Sequence, residues 1–587
     1  MTVLALPNSA AAFAKATWPD VAAFYDELAA RQLDDTTLDD WLQAWSTLEE
    51  LVTEAASLAM IAYTCDTADA GKEADHLRFS TDILPKMDER SVELARRLVD
   101  SGLTRPGLET MLRRFRTSIE LFREANVPIF AELEELGAKY QRLTGTMTVL
   151  WDGEERPVPQ LQPFLKSPDR PVRERAFRAI NEAYLAHQGE MAGLFDRMYA
   201  LRQQAAANAG HADFRDYIFP AKYRFDYTPA DVERFHEAVE AEVTPAVERI
   251  LEHRRRRLDL DILRPWDLGV DPYGSSVLRP FTDGLDLQAR SLGVFERVDP
   301  VLGTEFRTMV DERLLDLDSR KGKAPGGYCD TLHHRGRPFI FMNAVGIVDD
   351  VMTLLHEAGH AFHAFAAHPQ PLIWQRHPGS EAAELASMSM ELLAAPHLRQ
   401  PDGFFEETDW RRAMLEHLED ILLSLAHIAS VDAFQTWIYT SGQGGDAEAR
   451  DRAWLDIRRR FERGVDWTGL DRERVARWYR QLHIFLYPFY YIEYGIAQLG
   501  ALQVWRNSLE EPAGAVARYR EALSLGATRG LPDIYAAAGA RLVFDRAGMR
   551  ELVHLVLEQV ERLWAQMPGG VGGTELPSAT GEPPLTL

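Results

Sequence analysis

Apolar residues recur at three- and four-residue spacing along most of this chain. The pattern first runs through residues 20–60, with an interruption at residues 35–37 where one helix ends and the next is capped. It recurs in further segments: 85–140, 168–210, 229–262, 284–318, 411–440, 446–480 and 513–563. Because this spacing places the apolar side chains on one face of a helix, the chain is predicted to be mainly α-helical.

Strand patterns are confined to two short segments. β-formers flank Asp152-Gly153 within residues 146–161, which predicts a hairpin. Residues 337–346 form a short run of aromatic and apolar residues between two glycines, which predicts a strand. We therefore expect a small β element beside a site in an otherwise helical fold.

The hairpin and the turn at residues 208–210 indicate where the chain divides. We predict an N-terminal helical lobe over residues 1–207 that includes the hairpin, and a second region over residues 208–567. Residues 568–587 are rich in Gly and Pro and lack periodicity, so they are predicted to form a flexible tail.

Acidic residues outnumber basic ones by 90 to 65, which gives a formal net charge of −25. Nucleic-acid binding without sequence preference and docking on an anionic membrane both need a basic face, so neither partner is expected. The two cysteines form no disulfide framework, and the first residues lack the basic and apolar regions of a signal peptide. The sequence contains no charge-free apolar stretch of about 18 residues, so we expect no membrane-spanning helix. We expect a cytoplasmic protein.

The sharpest chemical signal is the H-E-x-x-H motif from His356 to His360, within a predicted helix over residues 347–365. Histidines four residues apart lie on one helix face, so both imidazoles can bind one zinc ion. Glu357 lies beside them, where its carboxylate can take a proton from a water molecule on the metal. These residue types at this spacing indicate hydrolysis of an amide bond.

A catalytic zinc site needs a third protein ligand. The next predicted helix, residues 379–396, carries Glu384 and Glu391 on one face among alanine, methionine and leucine residues. We predict that Glu384 binds zinc and that Glu391 accepts a hydrogen bond from a ligand imidazole. The alternatives are a solvated acidic edge, or His363 as the third ligand, which the helix geometry disfavours.

A strongly aromatic segment, residues 480–505, places a histidine and four tyrosines on or beside one predicted helix face. These residues are His483, Tyr487, Tyr490, Tyr491 and Tyr494. Such side chains need hydrogen-bond partners if they are buried, and they are also neutral donors that could stabilise an oxyanion. The alternative is an ordinary aromatic core. Pro488 is expected to kink this helix, which leaves the direction of each ring open.

Together these segments resemble the M3 family of zinc peptidases, which includes thimet oligopeptidase and oligoendopeptidase F. The resemblance covers about residues 210–565 and is carried by six blocks. The blocks are RFDYTPADVERFHEAV (224–239), KGKAPGGYC (321–329), PFIFMNAVG (338–346), TLLHEAGHAFH (353–363), EAAELASMSMELL (381–393) and HIFLYPFYYIEYGIAQ (483–498). The resemblance implies a fold of two helical lobes that flank a deep substrate channel, with a zincin-type active-site helix and the zinc at the channel floor.

The resemblance also implies roles for residues around the metal. His356, His360 and Glu384 match the ligands of one zinc ion per chain. Glu357 matches the catalytic base. These implied roles agree with those inferred from the spacing of the motif.

Further residues match positions that bind substrate or stabilise the transition state. His483 and Tyr494 are the nearest matches for the transition state, and the rivals are Tyr491, Tyr490 and Tyr487. Candidate substrate-binding residues lie in a glycine-rich loop, in an edge strand that an extended peptide could join, and in the tyrosine segment: Gly326, Gly327, Tyr328, Asn343, Ala344, Tyr487 and Tyr490.

The predicted function is a zinc-dependent endopeptidase that hydrolyses internal bonds of short, unfolded peptides by Glu357-assisted attack of zinc-bound water. A carboxypeptidase or dipeptidyl carboxypeptidase would use the same chemistry, but the sequence locates no cationic group for a free C-terminal carboxylate. A catalytically silent peptide-binding protein is the third possibility. The intact Glu357 disfavours it, because ligands alone would suffice to bind a metal.

Overall fold

The computed structural model of the protein describes residues 5–274 and 277–568. Apart from Pro568, the tail that was expected to be flexible lies outside the described residues. Within them the fold is mainly α-helical, as the apolar periodicity predicts.

The helices of the first part of the chain are α1 Trp18–Ala30, α2 Leu38–Cys65, α3 Ala70–Arg78, α4 Leu84–Ser101, α5 Glu109–Leu121, α6 Val127–Gly145, α7 Gln162–Leu165, α8 Arg170–Ala186, α9 Gln188–Asn208, α10 Phe214–Ala221, α11 Pro229–Ala238 and α12 Thr244–Arg257. Those of the second part are α13 Gly284–Val298, α14 Pro300–Asp311, α15 Val348–Ala367, α16 Ser380–Ala394, α17 Glu407–Thr440, α18 Ala447–Phe461, α19 Asp471–Tyr479, α20 Leu482–Leu486, α21 Tyr491–Glu510, α22 Pro512–Ser524, α23 Leu531–Ala537 and α24 Arg546–Gln566. Short π-helical turns at Phe79–Ile83 and Val239–Val243 join α3 to α4 and α11 to α12.

The predicted hairpin is confirmed. Strands β1 (Thr148–Trp151) and β2 (Glu154–Pro157) pair in antiparallel fashion. Asp152 and Gly153 between them both have positive φ angles, of 54° and 86°. Two successive positive φ angles are what the tightest hairpin turn requires, and an Asp-Gly pair adopts them readily.

A second sheet has the strand order β3-β5-β4, where β3 is Leu315–Asp318, β4 is Tyr328–Leu332 and β5 is Arg337–Ala344. β5 is parallel to β3 and antiparallel to β4. The expectation that this segment is an edge strand is therefore wrong: β5 is central, and β4 is an outer strand. The physical reason is that consecutive side chains of β5, from Pro338 to Met342, are all buried, as in a strand covered on both faces.

The hydrophobic interior of the described residues consists mainly of two cores. The smaller is built from residues 10–112 together with Leu372. The larger contains Ile61 and most of the remaining apolar residues, from Ile129 to Met567. The division that was predicted between residues 207 and 208 falls at the end of α9, whose buried apolar side chains belong to the larger core.

Residues 372–376, between α15 and α16, attach the smaller core to the larger one; we call this segment the latch. The Trp374 ring lies 4.3 Å from the ring of Trp45, and its indole N–H donates to Glu49 at 3.1 Å. The main-chain N–H of Ile373 donates to Ser46 at 2.9 Å. The segment that follows the H-E-x-x-H helix is thereby embedded in the N-terminal core.

Within the described residues, α17 is the helix that is long and apolar enough to cross a membrane by length and composition. However, 72% of its apolar window is buried inside the protein. The helix packs against α18, α21 and α24, so its apolar character is that of a core helix.

Candidate active site

The H-E-x-x-H motif lies in the middle of α15. Its N-terminus is capped by Asp350, whose Oδ2 accepts main-chain N–H bonds from Val345, Gly346 and Ile347 at 2.8, 2.9 and 3.0 Å. The apolar side chains predicted to hold the helix down are all buried: Val351, Leu354, Leu355, Ala358 and Phe362. This buried stripe leaves the two histidines on the opposite, more open side, where their side chains are 24% and 22% exposed.

Donor atoms of His356, His360 and Glu384 all lie within 4.8 Å of one another. The Nε2 atom of His356 is 3.3 Å from Oε2 of Glu384, and that of His360 is 3.7 Å from the same oxygen. The structure thus brings together the three side chains that were proposed as ligands from the sequence. Two imidazoles and one carboxylate that converge on one point form a donor set that suits Zn²⁺.

A glycine allows the two helices that carry these donors to approach closely. A Cβ atom on Gly359 would lie 2.5 Å from Cα of Ser387 and 2.7 Å from the main-chain oxygen of Ala386. Since such distances are shorter than any real Cβ contact, only glycine lets α16 lie this close to α15. This contact places Glu384 opposite the histidines.

Glu391 lies behind the proposed ligands. Its Oε1 atom is 2.7 Å from Nδ1 of His356, so it can fix that ring and leave Nε2 for a metal. His417, on α17, approaches the other oxygen of Glu391 at 3.6 Å. The arrangement agrees with the role predicted for Glu391, whereas the sequence gives no sign of His417.

Burial and neighbouring charges set the protonation of the cluster. Burial alone would raise the pKa of Glu384, but His356 and His360 hold it at about 2, so that the group is a carboxylate. Burial lowers the pKa of His360 to about 4, which keeps this imidazole neutral. A carboxylate and a neutral imidazole are the forms that bind a metal ion.

Glu357 lies between the two histidines in sequence and is buried. Burial raises the pKa of its carboxyl group to about 7; His356 opposes this rise and the negative charge of Glu384 adds to it. The main-chain N–H of Cys329, in the outer strand β4, lies near this carboxyl group and lowers its pKa. Glu357 therefore lies between the proposed metal ligands and the outer edge of the sheet.

The aromatic segment is not one kinked helix, as the sequence predicts, but two helices, α20 and α21, joined by a turn at residues 487–490. The rings nevertheless gather around His483. Their centroids lie 6.0, 5.9, 4.8 and 6.1 Å from the imidazole, in the order Tyr487, Tyr490, Tyr491 and Tyr494. The break follows from Pro488, which lacks an N–H, and from a left-handed residue after it.

The four tyrosine hydroxyls have different surroundings. That of Tyr490 donates to Oε1 of Glu384 at 2.9 Å. That of Tyr491 accepts a bond from Gln481 at 2.5 Å. The described residues offer no hydrogen-bond partner to the hydroxyl of Tyr494, and the Tyr487 side chain is the most open, with 54% of the residue exposed.

The loop before β4 contains the glycines that were predicted to approach substrate. Gly326 has a φ of 99°, which favours glycine over any other residue. The side-chain amide of Asn343 donates to the main-chain oxygens of Ala324 and Gly326 at 2.8 and 2.9 Å. Asn343 thus holds the loop in place by its own side chain.

Other predicted substrate residues make contacts within the protein. The hydroxyl of Tyr328 lies 2.7 Å from that of Thr64 on α2, and its ring stacks on Phe341 at 4.9 Å. Gly327 packs against Phe341, and Ala344 is buried with its main-chain oxygen bonded to Ser319. These residues shape the loop and the sheet.

Comparisons with known proteins agree with this arrangement. A sequence model described as peptidase family M3 matches residues 164–281 and 292–554, and one described as the peptidase M3 N-terminal domain matches residues 10–111. The chain is 25% identical to oligopeptidase PepF of Bacillus subtilis over 392 residues, which are 64% of this chain and 55% of that protein. The alignment with an oligoendopeptidase F of Lactococcus lactis covers 46% of that protein, so the aligned parts span about half the length of these curated relatives.

Solved structures match along nearly the whole chain. A structure of PZ peptidase A with an inhibitor is 27% identical, covers 95% of this chain and 98% of its own, and superposes with a TM-score of 0.84. An oligoendopeptidase F structure, also 27% identical, covers 93% of this chain and 97% of its own with a TM-score of 0.85. The family models and these structures lead to one conclusion: the chain belongs to peptidase family M3.

Proposed function

We propose that this protein is a zinc-dependent oligoendopeptidase that hydrolyses internal bonds of short peptides. The observation that carries the proposal is the convergence of His356, His360 and Glu384 within 4.8 Å, with Glu357 beside them. Membership of peptidase family M3 supports the same reaction class. The names of the relatives, oligopeptidase and oligoendopeptidase, support short peptides as substrates.

His356, His360 and Glu384 would hold one zinc ion per chain. When bound, zinc supplies a Lewis acid that lowers the pKa of water and polarises a carbonyl group. Glu391 orients the ring of His356 through its Nδ1 atom. Glu384 keeps its charge because the two imidazoles lower its pKa.

Glu357 would act as general base and then as general acid. A group that takes a proton from water and returns it to the leaving amine works best when its pKa lies near the operating pH. Burial raises the pKa of Glu357 to about 7, which meets this requirement. The main-chain N–H of Cys329 opposes this rise, because it favours the charged carboxylate.

His483 and Tyr494 would stabilise the negative charge that develops on the former carbonyl oxygen. Burial lowers the pKa of His483, so its ring is neutral, and its Nδ1 atom is buried without a hydrogen-bond partner in the described part of the chain. The hydroxyl of Tyr494 is likewise free of bonds to described residues. Donors without an internal partner are available to the substrate.

An extended peptide would bind along the outer edge of β4 and below the loop of Gly326 and Gly327. β4 pairs with β5 on one side only, and its residue Cys329 turns a main-chain N–H towards Glu357. A strand added to this edge would carry its scissile bond past the base. Because only an unfolded chain can add as a strand to this edge, we expect substrates of roughly 5–20 residues.

The proposal is tested with an internally quenched peptide whose C-terminus is amidated. Wild-type protein with one zinc per chain should cleave it internally. Glu357→Gln should keep its zinc and lose about 10²–10⁴-fold in kcat, because the amide cannot accept a proton. Mass spectrometry of the products decides the position of cleavage.

Each of the rival functions predicts a different result. Removal of residues only from free C-termini, with the amidated peptide left intact, would indicate a carboxypeptidase. Zinc binding without any turnover would indicate a silent binding protein. Undiminished zinc in a variant that lacks both His356 and His360 would refute the proposed metal site.

We also propose that the protein works in the cytoplasm. The two cysteines, Cys65 and Cys329, are both free thiols. Reduced thiols agree with a reducing compartment, where short peptides from protein turnover would be the partners.

A further inference from the structure

The turn that joins α20 to α21 contains a strained residue. The main-chain N–H of Tyr490 bonds to the oxygen of Tyr487 at 3.2 Å, with Pro488 and Phe489 as the two central residues. Phe489 has a φ of 61°. A turn with a positive φ at its third residue normally has glycine or asparagine there, and a bulky residue costs about 1–3 kcal/mol. The surrounding structure must therefore hold this turn.

Two buried side chains bind the main chain of Phe489 from both sides. The N–H of Phe489 donates to Oε1 of Gln435 on α17 at 2.8 Å. Its C=O accepts a bond from Nη2 of Arg224 in the loop after α10. Gln435 as a residue and the side chain of Arg224 are both 0% exposed. The strained residue is thus fixed by groups that have little freedom to move.

Gln435 is poorly suited to a purely structural role. Its Nε2 atom is buried and has no hydrogen-bond partner among the described residues. A buried donor without a partner costs about 1–3 kcal/mol, which offsets much of what the bond to Phe489 contributes to stability. What Gln435 supplies is the acceptor for the N–H of Phe489.

The turn determines where Tyr490 lies. Tyr490 follows Phe489 directly, and its hydroxyl donates to Oε1 of Glu384 at 2.9 Å. The other oxygen of Glu384, Oε2, faces the two histidines and also accepts a bond from the hydroxyl of Ser387 at 3.0 Å. The Tyr490 hydroxyl therefore holds Oε1 on the side away from the histidines, and with Ser387 it orients the carboxylate so that Oε2 is directed towards the ligand cluster.

We propose that Gln435 and Arg224 are positioning residues of the metal site. By holding Phe489 in its left-handed conformation, they place the Tyr490 hydroxyl on Glu384 and thereby orient this carboxylate for the metal. The inference rests on the proposed function, because it takes Glu384 to be a zinc ligand. The inference links two residues outside the ligand cluster, Gln435 on α17 and Arg224 in the loop after α10, to the proposed metal site through Phe489 and Tyr490.

A double-mutant cycle on zinc affinity tests the connection. Affinity is measured by competition with a chromophoric chelator for wild type, Tyr490→Phe, Gln435→Met and the double variant. Loss of an outer partner of a metal ligand typically weakens affinity 10–100-fold, so we expect each single variant to fall in that range. If Gln435 acts through Tyr490, the double variant should bind zinc no more weakly than Tyr490→Phe alone.

Two control variants separate positioning from general destabilisation. Gln435→Glu keeps an acceptor oxygen and should retain zinc affinity even if the melting temperature falls. Gln503→Met removes another buried glutamine, on a distant part of α21, whose side chain donates to the main-chain oxygens of Leu499 in the same helix and of Arg541 in the loop before α24. This variant should lower the melting temperature without changing zinc affinity.

The possible failures are distinct. Wild-type affinity in Gln435→Met, or losses that add fully in the double variant, would overturn this inference and leave the proposed function intact. A wild-type protein that binds no zinc would overturn both. Arg224→Lys keeps the positive charge beside Glu493 but cannot reach Phe489 and Glu493 together, so it should weaken zinc binding in the same way.

Discussion

At the scale of single residues, the site contains tyrosines that differ in what their hydroxyls already bind. The hydroxyl of Tyr490 is engaged by Glu384 and that of Tyr491 by Gln481. Tyr494 has no such bond to a described residue, and its ring lies 5.0 Å from that of Tyr490. A donor that is not occupied in the resting protein is the best candidate for a bond made in the transition state.

We therefore expect Tyr494→Phe to lower kcat by about 10²–10³-fold with a much smaller change in KM. The ring remains, so packing should survive and only the donor to the developing oxyanion is lost. Steady-state kinetics on Tyr494→Phe and Tyr491→Phe provide the measurement and its matched control. If kcat fell strongly in Tyr491→Phe and stayed near the wild-type value in Tyr494→Phe, the oxyanion donor would be Tyr491 and not Tyr494.

Glu462 is a second residue whose surroundings predict a measurable effect. It follows α18 and is contacted by Arg458 at 2.6 Å, by Arg474 at 3.0 Å and by Arg477. Burial alone would raise its pKa, but the three guanidinium groups hold it at about 2. The free energy of unfolding should therefore fall with pH from about 5 towards 2, by about 3 kcal/mol from this group.

The variant Glu462→Gln should lose that pH dependence and be destabilised by about 3–5 kcal/mol at pH 7, because buried arginines lose their partner. Glu252 is the control. Arg255 and Arg256 also hold its pKa at about 2, but its side chain is 41% exposed, so solvent screens the interaction. Denaturant unfolding across pH should show a far smaller effect for Glu252→Gln; equal effects would mean that burial does not matter here.

At the scale of helices and strands, the contact between α15 and α16 decides where Glu384 lies. We expect Gly359→Ala to cost about 1–3 kcal/mol and to weaken zinc binding, because the added methyl group must push α16 away. Gly193→Ala, in the interior of α9 with open space around it, is the matched control. It should stabilise the protein by about 0.5–1 kcal/mol. Thermal unfolding and chelator competition measure both, and unchanged zinc affinity in Gly359→Ala would contradict the expectation.

The sequence predicts those parts of the site that depend on local spacing. His356 and His360 share a helix turn, and Glu384 and Glu391 lie seven residues apart on the next helix, so their faces follow from periodicity alone. The sequence predicts a kink at Pro488 but not the turn that separates α20 from α21. This turn needs a left-handed Phe489, which depends on Gln435 and Arg224, two residues that are distant in sequence. Such partners leave no local pattern.

The order of the strands in the second sheet could not be predicted from the sequence either. The apolar run of β5 is equally compatible with an edge strand and a central one until its partners are known. β3 joins it from one side and β4 from the other. His417 illustrates the same limit, since it meets Glu391 only because α17 packs nearby.

At the scale of the whole molecule, the latch couples the two hydrophobic cores. We expect Trp374→Ala to destabilise the protein by about 3 kcal/mol and to make residues 10–112 unfold before the larger core. Trp437→Ala is the control, because Trp437 packs only against the larger core and is similarly half-buried. It should lower the melting temperature without separating two transitions. Calorimetry distinguishes these outcomes, and a single transition in Trp374→Ala would show that the cores are coupled by other contacts.

The same latch limits how this chain can be recombined with its relatives. The N-terminal domain matched at residues 10–111 looks like an exchangeable module, yet Trp45 and Glu49 in α2 contact Trp374, which lies outside that domain. A chimera that takes only this module from a homologue would combine the homologue's residues at positions 45 and 49 with Trp374 of this chain, so the contact between them would not be matched. A chimera that keeps this interface must take residues 372–376 from the same homologue as the module, although more than 250 residues of sequence separate the two segments.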